Sequence, residues 1–547
     1  MNKLWYGDNL TIMQGMKKHS VDLIYLDPPF KSDANYNLLY KTMTGKPVPE
    51  QVEAFCDTWE MDAEKEAIAR SMPVLMREHG VDDYYVDFWR LWMQALRTSQ
   101  PHLLAYLIFM VQRMLHMKSI LRPKGSIYLH CDPTASHYIK VMMDGIFGHA
   151  NFRNEIIWKR TSAHNSARRW GPVHDVILFY SAGDKYTWNK VYQEYDEKYT
   201  DSFYRYTDKD GRYRIGDLTG AGTRKGASGM EWKGINPTNK GRHWAPPRRF
   251  PGGDKVPKDV IAALDYLDEI GRINWPAKIG GVPGFKRYLE DMEGVQIQDV
   301  IDDIAPVSAH GKERLGYPTQ KPVSLLKRII LASTEKGDVV FDPFCGCGTT
   351  IYAAHETERQ WIGCDIAILS VKLMREVLAE KYRLVEGANF EVDGIPTSVE
   401  GAQQLFDKDP STFQNWFVER VGGFPMQRKS ADRGIDGRIY FETRDGLREM
   451  IIQVKGGKHI RPTDVRDLRG VLEREENAEM VGFLSVVPPS KAMLSEAAEA
   501  GTYEYMGVQY PRMQFLTTED VLVDKREFHM PTRVNTKIST GQQSLAF

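Results

Sequence analysis

Two strand-length apolar runs, far apart in the chain, stop at the same punctuation, and this pairing constrains the fold more than any other feature of the 547 residues. Val21-Asp22-Leu23-Ile24-Tyr25-Leu26 ends in Asp27-Pro28-Pro29-Phe30, and Asp338-Val339-Val340-Phe341 ends in Asp342-Pro343-Phe344-Cys345-Gly346-Cys347-Gly348-Thr349-Thr350. Proline cannot donate to a ladder and biases its predecessor towards extended backbone, so each Asp-Pro closes a strand. In the second run Gly346 and Gly348 remove Cβ atoms where the chain turns into a helix expected from Thr349 to about Glu358, so a ligand can approach the outward-pointing N–H groups of that helix. A further strand, Gln360-Trp361-Ile362-Gly363-Cys364, ends at Asp365, where a βαβ unit binds ribose hydroxyls. The spacing differs from G-x-G-x-x-G, and alone it suits a plain tight turn as well.

The first punctuation carries a different chemistry. The lone pair of an exocyclic amino group is delocalised into its ring, so an enzyme that alkylates it must hold both N–H bonds with acceptors and let the nitrogen pyramidalise. The Asp27 carboxylate and the carbonyl of Pro28 suit that task, Pro29 stiffens the turn, and Phe30 suits stacking on an extruded base. An ordinary strand-to-loop turn is the rival reading, since Asp and Pro are common there.

Together the two motifs resemble the DNA amino-methyltransferases that use S-adenosylmethionine, in the permuted β group where Asp-Pro-Pro-Phe precedes the glycine loop. The resemblance covers most of residues 1–385. It implies an α/β fold with a Rossmann-like seven-stranded sheet, and catalytic roles for Asp27, Pro28, Pro29 and Phe30. It also implies S-adenosylmethionine contacts from Asp8 and Asn9 in Gly7-Asp8-Asn9-Leu10, and from Thr319, Gln320 and Lys321 in Tyr317-Pro318-Thr319-Gln320-Lys321-Pro322. Asp342, Phe344, Gly346, Gly348, Thr349 and Asp365 complete the implied cofactor set. Asn154–Trp158 and His174–Tyr180 look like the strands behind the target pocket. In this family Asp at the first catalytic position goes with the 6-amino group of adenine and Ser with the 4-amino group of cytosine; the cytosine alternative leaves the fold unchanged. Cys345 and Cys347 depart from the loop pattern and receive no chemical role. Methylation of a cytosine ring carbon needs a Cys preceded by Pro, and none of the five cysteines is.

Composition agrees with this class. With 42% hydrophobic and 27% charged residues the chain reads as a soluble globular protein of two or three domains. The net charge of −1 means that any basic DNA-binding surface is local. Cysteines at 56, 131, 345, 347 and 364 form neither a paired metal-ligand spacing nor a disulfide framework, which fits a reducing cytoplasm. No signal peptide is read at the N-terminus. The apolar run Leu103–Val111 stops at Gln112 and Arg113, short of the roughly 20 residues of a membrane helix. Apolar spacing resumes as far as Leu121, so a buried helix followed by the strand Ser126–His130 is expected, with Met110, Met114 and Met117 as packing.

The expected organisation is a catalytic half over residues 1–180, an inserted target-recognition region over 181–310, a cofactor-binding half over 311–385, a linker near 386–400, a smaller α/β unit over 401–525 and a tail over 526–547. Residues 31–100 read as irregular; Tyr36, Tyr40, Phe55, Trp59, Tyr84, Tyr85, Phe88 and Trp89 suit either a lid or DNA-facing loop, or packing on the outer face of the core. The insertion concentrates basic residues, as in Arg224-Lys225 and Arg242-His243-Trp244-Ala245-Pro246-Pro247-Arg248-Arg249. These suit phosphates and guanine edges, while the glycines and prolines alone suit a structural insertion.

In the C-terminal unit Gly434-Ile435-Asp436-Gly437 precedes one expected strand, and Met450–Lys455 forms another on which residues 453 and 455 share a face. This portion resembles the Mrr-like branch of restriction-endonuclease folds, which tolerates Gln in place of an acidic ligand. The resemblance implies Mg²⁺ ligation by Asp436 and Gln453, charge stabilisation by Lys455 and a helical acidic partner in Glu419. A noncatalytic DNA- or partner-binding module remains open, because Asp and Lys on adjacent strands also make a plain ion pair. The whole reads as a cytoplasmic, adenine-specific methyltransferase of double-stranded DNA in a restriction-modification system, without membrane contact, and leaves room for a homodimer and a restriction-system partner.

Overall fold

The apolar runs become strands of one nine-stranded sheet. They are β1 (Asn2–Tyr6), β2 (Val21–Leu26), β3 (Leu121–Cys131), β4 (Phe152–Lys159), β5 (His174–Ser181), β6 (Val300–Ile301), β7 (Val339–Asp342), β8 (Gln360–Asp365) and β9 (Phe390–Asp393), in the spatial order β6-β4-β5-β3-β2-β7-β8-β1-β9. Neighbouring strands are parallel except where β5 meets β3 and β4. The sheet is covered on both faces, as parallel sheets are, so the parallel β2 and even the antiparallel β5 are almost wholly buried rather than alternating. The two short strands β6 and β9 carry the sheet beyond the seven strands expected. A computed structural model describes residues 2–29, 59–133, 135–161, 170–308, 311, 313–315, 320–426, 434–444, 446–457 and 459–532. Phe30, Thr319, Tyr36, Tyr40 and Phe55 lie outside the described residues.

β2 and β7 are hydrogen-bonded neighbours, with Leu23 opposite Val340 and Ile24 opposite Phe341. Because they run in the same direction, Asp27 and Asp342 leave the sheet at the same edge. This is the carboxyl edge, where open α/β sheets take ligands.

Two helices differ from expectation. Residues 59–100 are not irregular: they contain α2 (Ala63–Glu78) and α3 (Asp83–Ser99), which follow the short helix α1 (Asn9–Gly15). Trp89 packs in the core, while Tyr84 and Phe88 stay exposed. The helix α4 (Pro101–Ile120) runs straight through Gln112 and Arg113, and Met110, Met114 and Met117 are fully buried in it. No helix among the described residues is long and apolar enough to cross a membrane.

Residues 190–298 form a compact unit of their own. That unit holds a four-stranded antiparallel sheet, whose central strands are Gly211–Asp217 and Gly284–Tyr288, beside the helix Val260–Glu269. Its own apolar cluster includes Leu218, Trp232, Trp244, Leu264 and Phe285.

The linker expected near 386–400 contains the edge strand β9, which pairs with β1. After it comes a five-stranded sheet that includes β10 (Gly437–Thr443) and β11 (Gly446–Lys455). The helices α5 (Thr349–Glu356) and α6 (Ile368–Glu380) belong to the cofactor half, and α7 (Pro410–Arg420) to the C-terminal segment. Phe413, Trp416 and Phe417 of α7 share one hydrophobic cluster with Tyr6, Ile368 and Val371, so the C-terminal segment and the large sheet are built on a continuous core.

Candidate active site

At the end of β2, Lys321 Nζ lies 2.5 Å from Asp27 Oδ2, and the two side chains are only 9% and 18% exposed. The sequence assigns Lys321 to the cofactor; the structure brings it to the carboxylate expected to hold the target amino group. Pro28 and Pro29 follow outside the strand.

Behind Asp27 runs a polar chain that the sequence reading missed. The Tyr25 hydroxyl lies 2.7 Å from His130 Nδ1, and His130 Nε2 lies 3.1 Å from Asp175 Oδ2. Arg160 Nε stands 3.1 Å from the other carboxylate oxygen of Asp175. Burial, with help from the charge of Lys321, lowers the His130 pKa. Burial works to raise the Asp175 carboxyl, but the hydrogen bond from His130 and the nearby positive charges outweigh it and leave it below its ordinary value. A neutral imidazole therefore accepts from Tyr25 and donates to Asp175. No spacing rule joins residues 25, 130 and 175; only the order of β2, β3 and β5 in the sheet does.

The glycine loop is tied down by carboxylates. Asp342 accepts from the Phe344 N–H at 2.9 Å and from the Thr350 hydroxyl at 2.5 Å, and burial pushes its pKa up to about 7. Asp365 accepts from the Gly346 N–H and the Ala367 N–H, each at 2.8 Å, and burial pushes it up to about 6. Each oxygen of Asp365 keeps a second lone pair for a hydroxyl. Gly348 has φ +87°, and a Cβ there would lie 2.7 Å from Met374 Cγ, so this glycine permits helix-to-loop packing. Thr349 is buried as the first residue of α5. Cys345, Cys347 and Cys364 are buried in the same region, and burial raises all three thiols.

Asp8 caps α1 through the Leu10 N–H at 2.7 Å, and Asn9 Nδ2 donates to the carbonyl of Pro343 at 2.8 Å. Arg113 holds both. Its Nη2 lies 2.9 Å from each oxygen of Asp8, and its Nε donates to Asn9 Oδ1 at 2.7 Å. The guanidinium also covers the Phe109 ring at 3.5 Å, and Phe109 meets Phe344 of the glycine loop. An arginine amid the apolar residues of α4 is the signal available in the sequence. Gln320 turns inward on its own loop, accepting from the Leu315 N–H at 2.8 Å and donating to the Glu313 carbonyl at 2.6 Å. Asp8 and Asp365 bring carboxylate oxygens to this edge, and Asp365 is tied to the glycine loop through the Gly346 N–H, an acceptor set that fits the hydroxyl and amino groups of a nucleoside ligand.

In the separate unit 190–298, Arg242 and Arg248 are spent on internal oxygens of Thr219, Val256 and Lys258. Arg224, Lys225 and Arg249 remain exposed.

In the C-terminal segment the Asp436 N–H donates to the Ile452 carbonyl at 2.8 Å, and Asp436 Oδ2 accepts from the Val454 N–H at 2.6 Å, which sets this carboxylate against the stretch bearing Gln453 and Lys455. Gln453 Nε2 donates to the Gly434 carbonyl at 3.3 Å, and its Oε1 is buried with no hydrogen-bond partner among the described residues. Lys455 Nζ lies 3.8 Å from Asp464. Glu419 is not the helical partner of this group. Gln414, five residues earlier on α7, donates to Asp436 Oδ1, while Glu419 Oε2 accepts from the Tyr6 hydroxyl and the Ile368 N–H. No cluster of three or more His, Cys, Asp or Glu suited to a metal occurs among the described residues.

The family profile described as DNA methylase, the N6/N4 methyltransferases, matches residues 21–376. The chain is 36% identical over 278 residues to the type II methyltransferase M.EcaI of Enterobacter cloacae, covering 50% of this chain and 58% of that protein. It is 27% identical over 365 residues to the Mod subunit of the type III restriction-modification enzyme StyLTI of Salmonella typhimurium, covering 63% of this chain and 48% of that one. The chain thus spans only about half of these curated relatives. Among solved structures, the cytosine-N4-specific PvuII DNA methyltransferase aligns with 76% of this chain and 93% of its own at 12% identity and a TM-score of 0.33, too distant to bear on the site.

Proposed function

Because the chain belongs to the N6/N4 DNA methylase family, we propose that it transfers a methyl group from S-adenosylmethionine to the 6-amino group of adenine in double-stranded DNA. The observation that carries this reading is the adjacency of β2 and β7, which sets the Asp27 turn and the Asp342 glycine loop side by side on one sheet edge. S-adenosylmethionine, when bound, supplies a methyl group on a sulfonium centre. Asp8, Asn9, Asp365 and the loop Asp342–Thr349 would hold it, Asp365 taking ribose hydroxyls.

At the other side Asp27 and the Pro28 carbonyl accept the two amino protons, so that the nitrogen lone pair is freed to attack. One oxygen of Asp27 already holds Lys321, and the incoming amino group shares or displaces that ammonium. Phe30 stacks on the base. The methylated nitrogen, now cationic, gives one proton to the Asp27 carboxylate, from which it passes to water, and no covalent enzyme–base bond forms. Residues 190–298 read as the target-recognition region, with Arg224, Lys225 and Arg249 on phosphates or base edges. The likeness to a Mod subunit supports a place in a restriction-modification system with a restriction partner. Modification-sensitive sequencing of DNA from a host that expresses the chain is expected to show N6-methyladenine at one short sequence. N4-methylcytosine instead would overturn the base assignment.

The C-terminal segment supports a second activity, a Mg²⁺-dependent endonuclease of the Mrr-like kind. The orphaned Oε1 of Gln453 beside Asp436 is the observation in its favour. Mg²⁺ would be held by Asp436 and Gln453 and would polarise the scissile phosphate, with Lys455 countering its charge. A carboxamide can turn over to present its oxygen, so Gln414 also suits a cation. Unmethylated DNA is expected to be nicked or cut with Mg²⁺ and spared with EDTA, and Lys455→Ala is expected to stop cleavage while methylation continues. Equal cleavage by wild type and Lys455→Ala would remove this site from the reaction.

A further inference from the structure

Glu419 stands outside residues 21–376 that the family profile matches, on α7 of the C-terminal segment, yet its side chain enters the large sheet. Its Oε2 accepts from the Tyr6 hydroxyl at 3.3 Å and from the backbone N–H of Ile368 at 3.3 Å. Both contacts lie at the long end of the hydrogen-bond range. Tyr6 closes β1 immediately before Gly7-Asp8-Asn9, and Ile368 opens α6 three residues after Asp365. Tyr6 and Asp365 are themselves partners in the β1/β8 register. One carboxyl oxygen therefore ties together the two chain segments to which cofactor binding is assigned.

The local structure needs this contact. The first N–H groups of a helix have no intrahelical acceptor, and the N-cap residue of α6, Ala367, has no side chain to supply one. The Tyr6 hydroxyl is equally buried. Thr412, two turns before Glu419 on the same face of α7, places its Cγ2 within 4.0 Å of where a Cβ on Gly7 would lie. Gly7 has φ +142°, a conformation that L residues rarely adopt, so the turn leading to Asp8 is fixed by backbone as well as by this packing. Burial pushes the pKa of the Glu419 carboxyl up to about 8.

We infer that Glu419 is a positioning residue of the cofactor site, so that α7 of the C-terminal segment is part of the cofactor-binding apparatus. The inference rests on the assignment of S-adenosylmethionine to the Asp8, Asp365 and glycine-loop edge. Glu419 touches neither cofactor nor DNA in this account; it acts through Tyr6 and the start of α6.

The test is calorimetric titration of the full chain with S-adenosylmethionine and with S-adenosylhomocysteine. Glu419→Leu strands two buried donors, and affinity for both ligands is expected to fall about tenfold. Glu419→Gln keeps an acceptor oxygen and is expected to stay within about threefold of wild type. In steady-state assays the loss should appear in KM for S-adenosylmethionine ahead of kcat. If Glu419→Leu does not fold, Tyr6→Phe removes one partner and leaves the carboxyl, and a loss of about threefold is expected from one hydrogen bond. Wild-type affinity in both Glu419→Leu and Tyr6→Phe, or a Gln variant as weak as the Leu variant, overturns the inference alone. A wild type that binds neither ligand overturns the cofactor assignment and the inference with it.

Discussion

Asp27→Ala is expected to lower methylation of duplex DNA by at least about a thousandfold, the upper end of what one preorganised electrostatic contact contributes in other enzymes. Two effects add. The variant loses an acceptor for an amino proton, so the nitrogen no longer pyramidalises with both N–H bonds held. It also leaves the largely buried ammonium of Lys321 without its partner at 2.5 Å, and that charge then faces the incoming amino group. Asp27→Asn separates the two. It keeps the size and one acceptor oxygen, but it offers N–H donors where the substrate amino group also donates, so turnover is expected to fall nearly as far while the fold is retained. Radiolabelled methyl transfer to duplex DNA, paired with calorimetric binding of S-adenosylmethionine, reads both. Asp27 follows β2 and the glycine loop follows β7, so cofactor affinity should change far less than turnover. Full activity in either variant would strip Asp27 of its role. Methyl found on cytosine would leave that role standing and change the substrate.

What sequence reasoning captures is local. The ends of β2, β7 and β8 are legible because Asp-Pro and glycine punctuation act within a few residues, and the carboxyl ends of parallel strands are where ligands go. Pairings across the sheet are not legible. Residues 25, 130 and 175 meet only because β3 lies between β2 and β5. The linker expected near 386–400 rested on Gly387, Gly394 and Pro396, and those turn residues conceal Phe390-Glu391-Val392-Asp393, an alternating strand long enough to extend the sheet. Its acidic type is what singles out Glu419 in the sequence. On a helix it lies five residues, well over one turn, from Gln414 and so faces another direction, which gives Gln414 to Asp436 and Glu419 to Tyr6.

Arg113→Met is expected to weaken binding of S-adenosylmethionine by at least about tenfold and to lower thermal stability, although residue 113 belongs to neither motif. Arg113 is 6% exposed, and its guanidinium is the common partner of Asp8 and Asn9. Asn9 in turn holds the Pro343 carbonyl of the glycine loop, so one cation fixes the α1 start against the loop across the sheet edge. Methionine fills much of the same volume beside Phe109 but carries no charge, and Asp8 is left without its counter-ion. Removing one member of a buried pair costs about 3–5 kcal/mol. The Asp8 side chain is 30% exposed, so water compensates it in part and the cost should fall at or below the low end of that range. A double-mutant cycle with Asp8→Asn isolates the pair: the double variant should be less destabilised than the sum of the singles, because the uncompensated carboxylate is gone. Cofactor binding should not recover in the double variant, since Asn9 and the Pro343 carbonyl remain without the guanidinium that aligned them. Additive stability losses together with wild-type cofactor affinity in Arg113→Met would mean that Arg113 serves the fold of α4 and not the site.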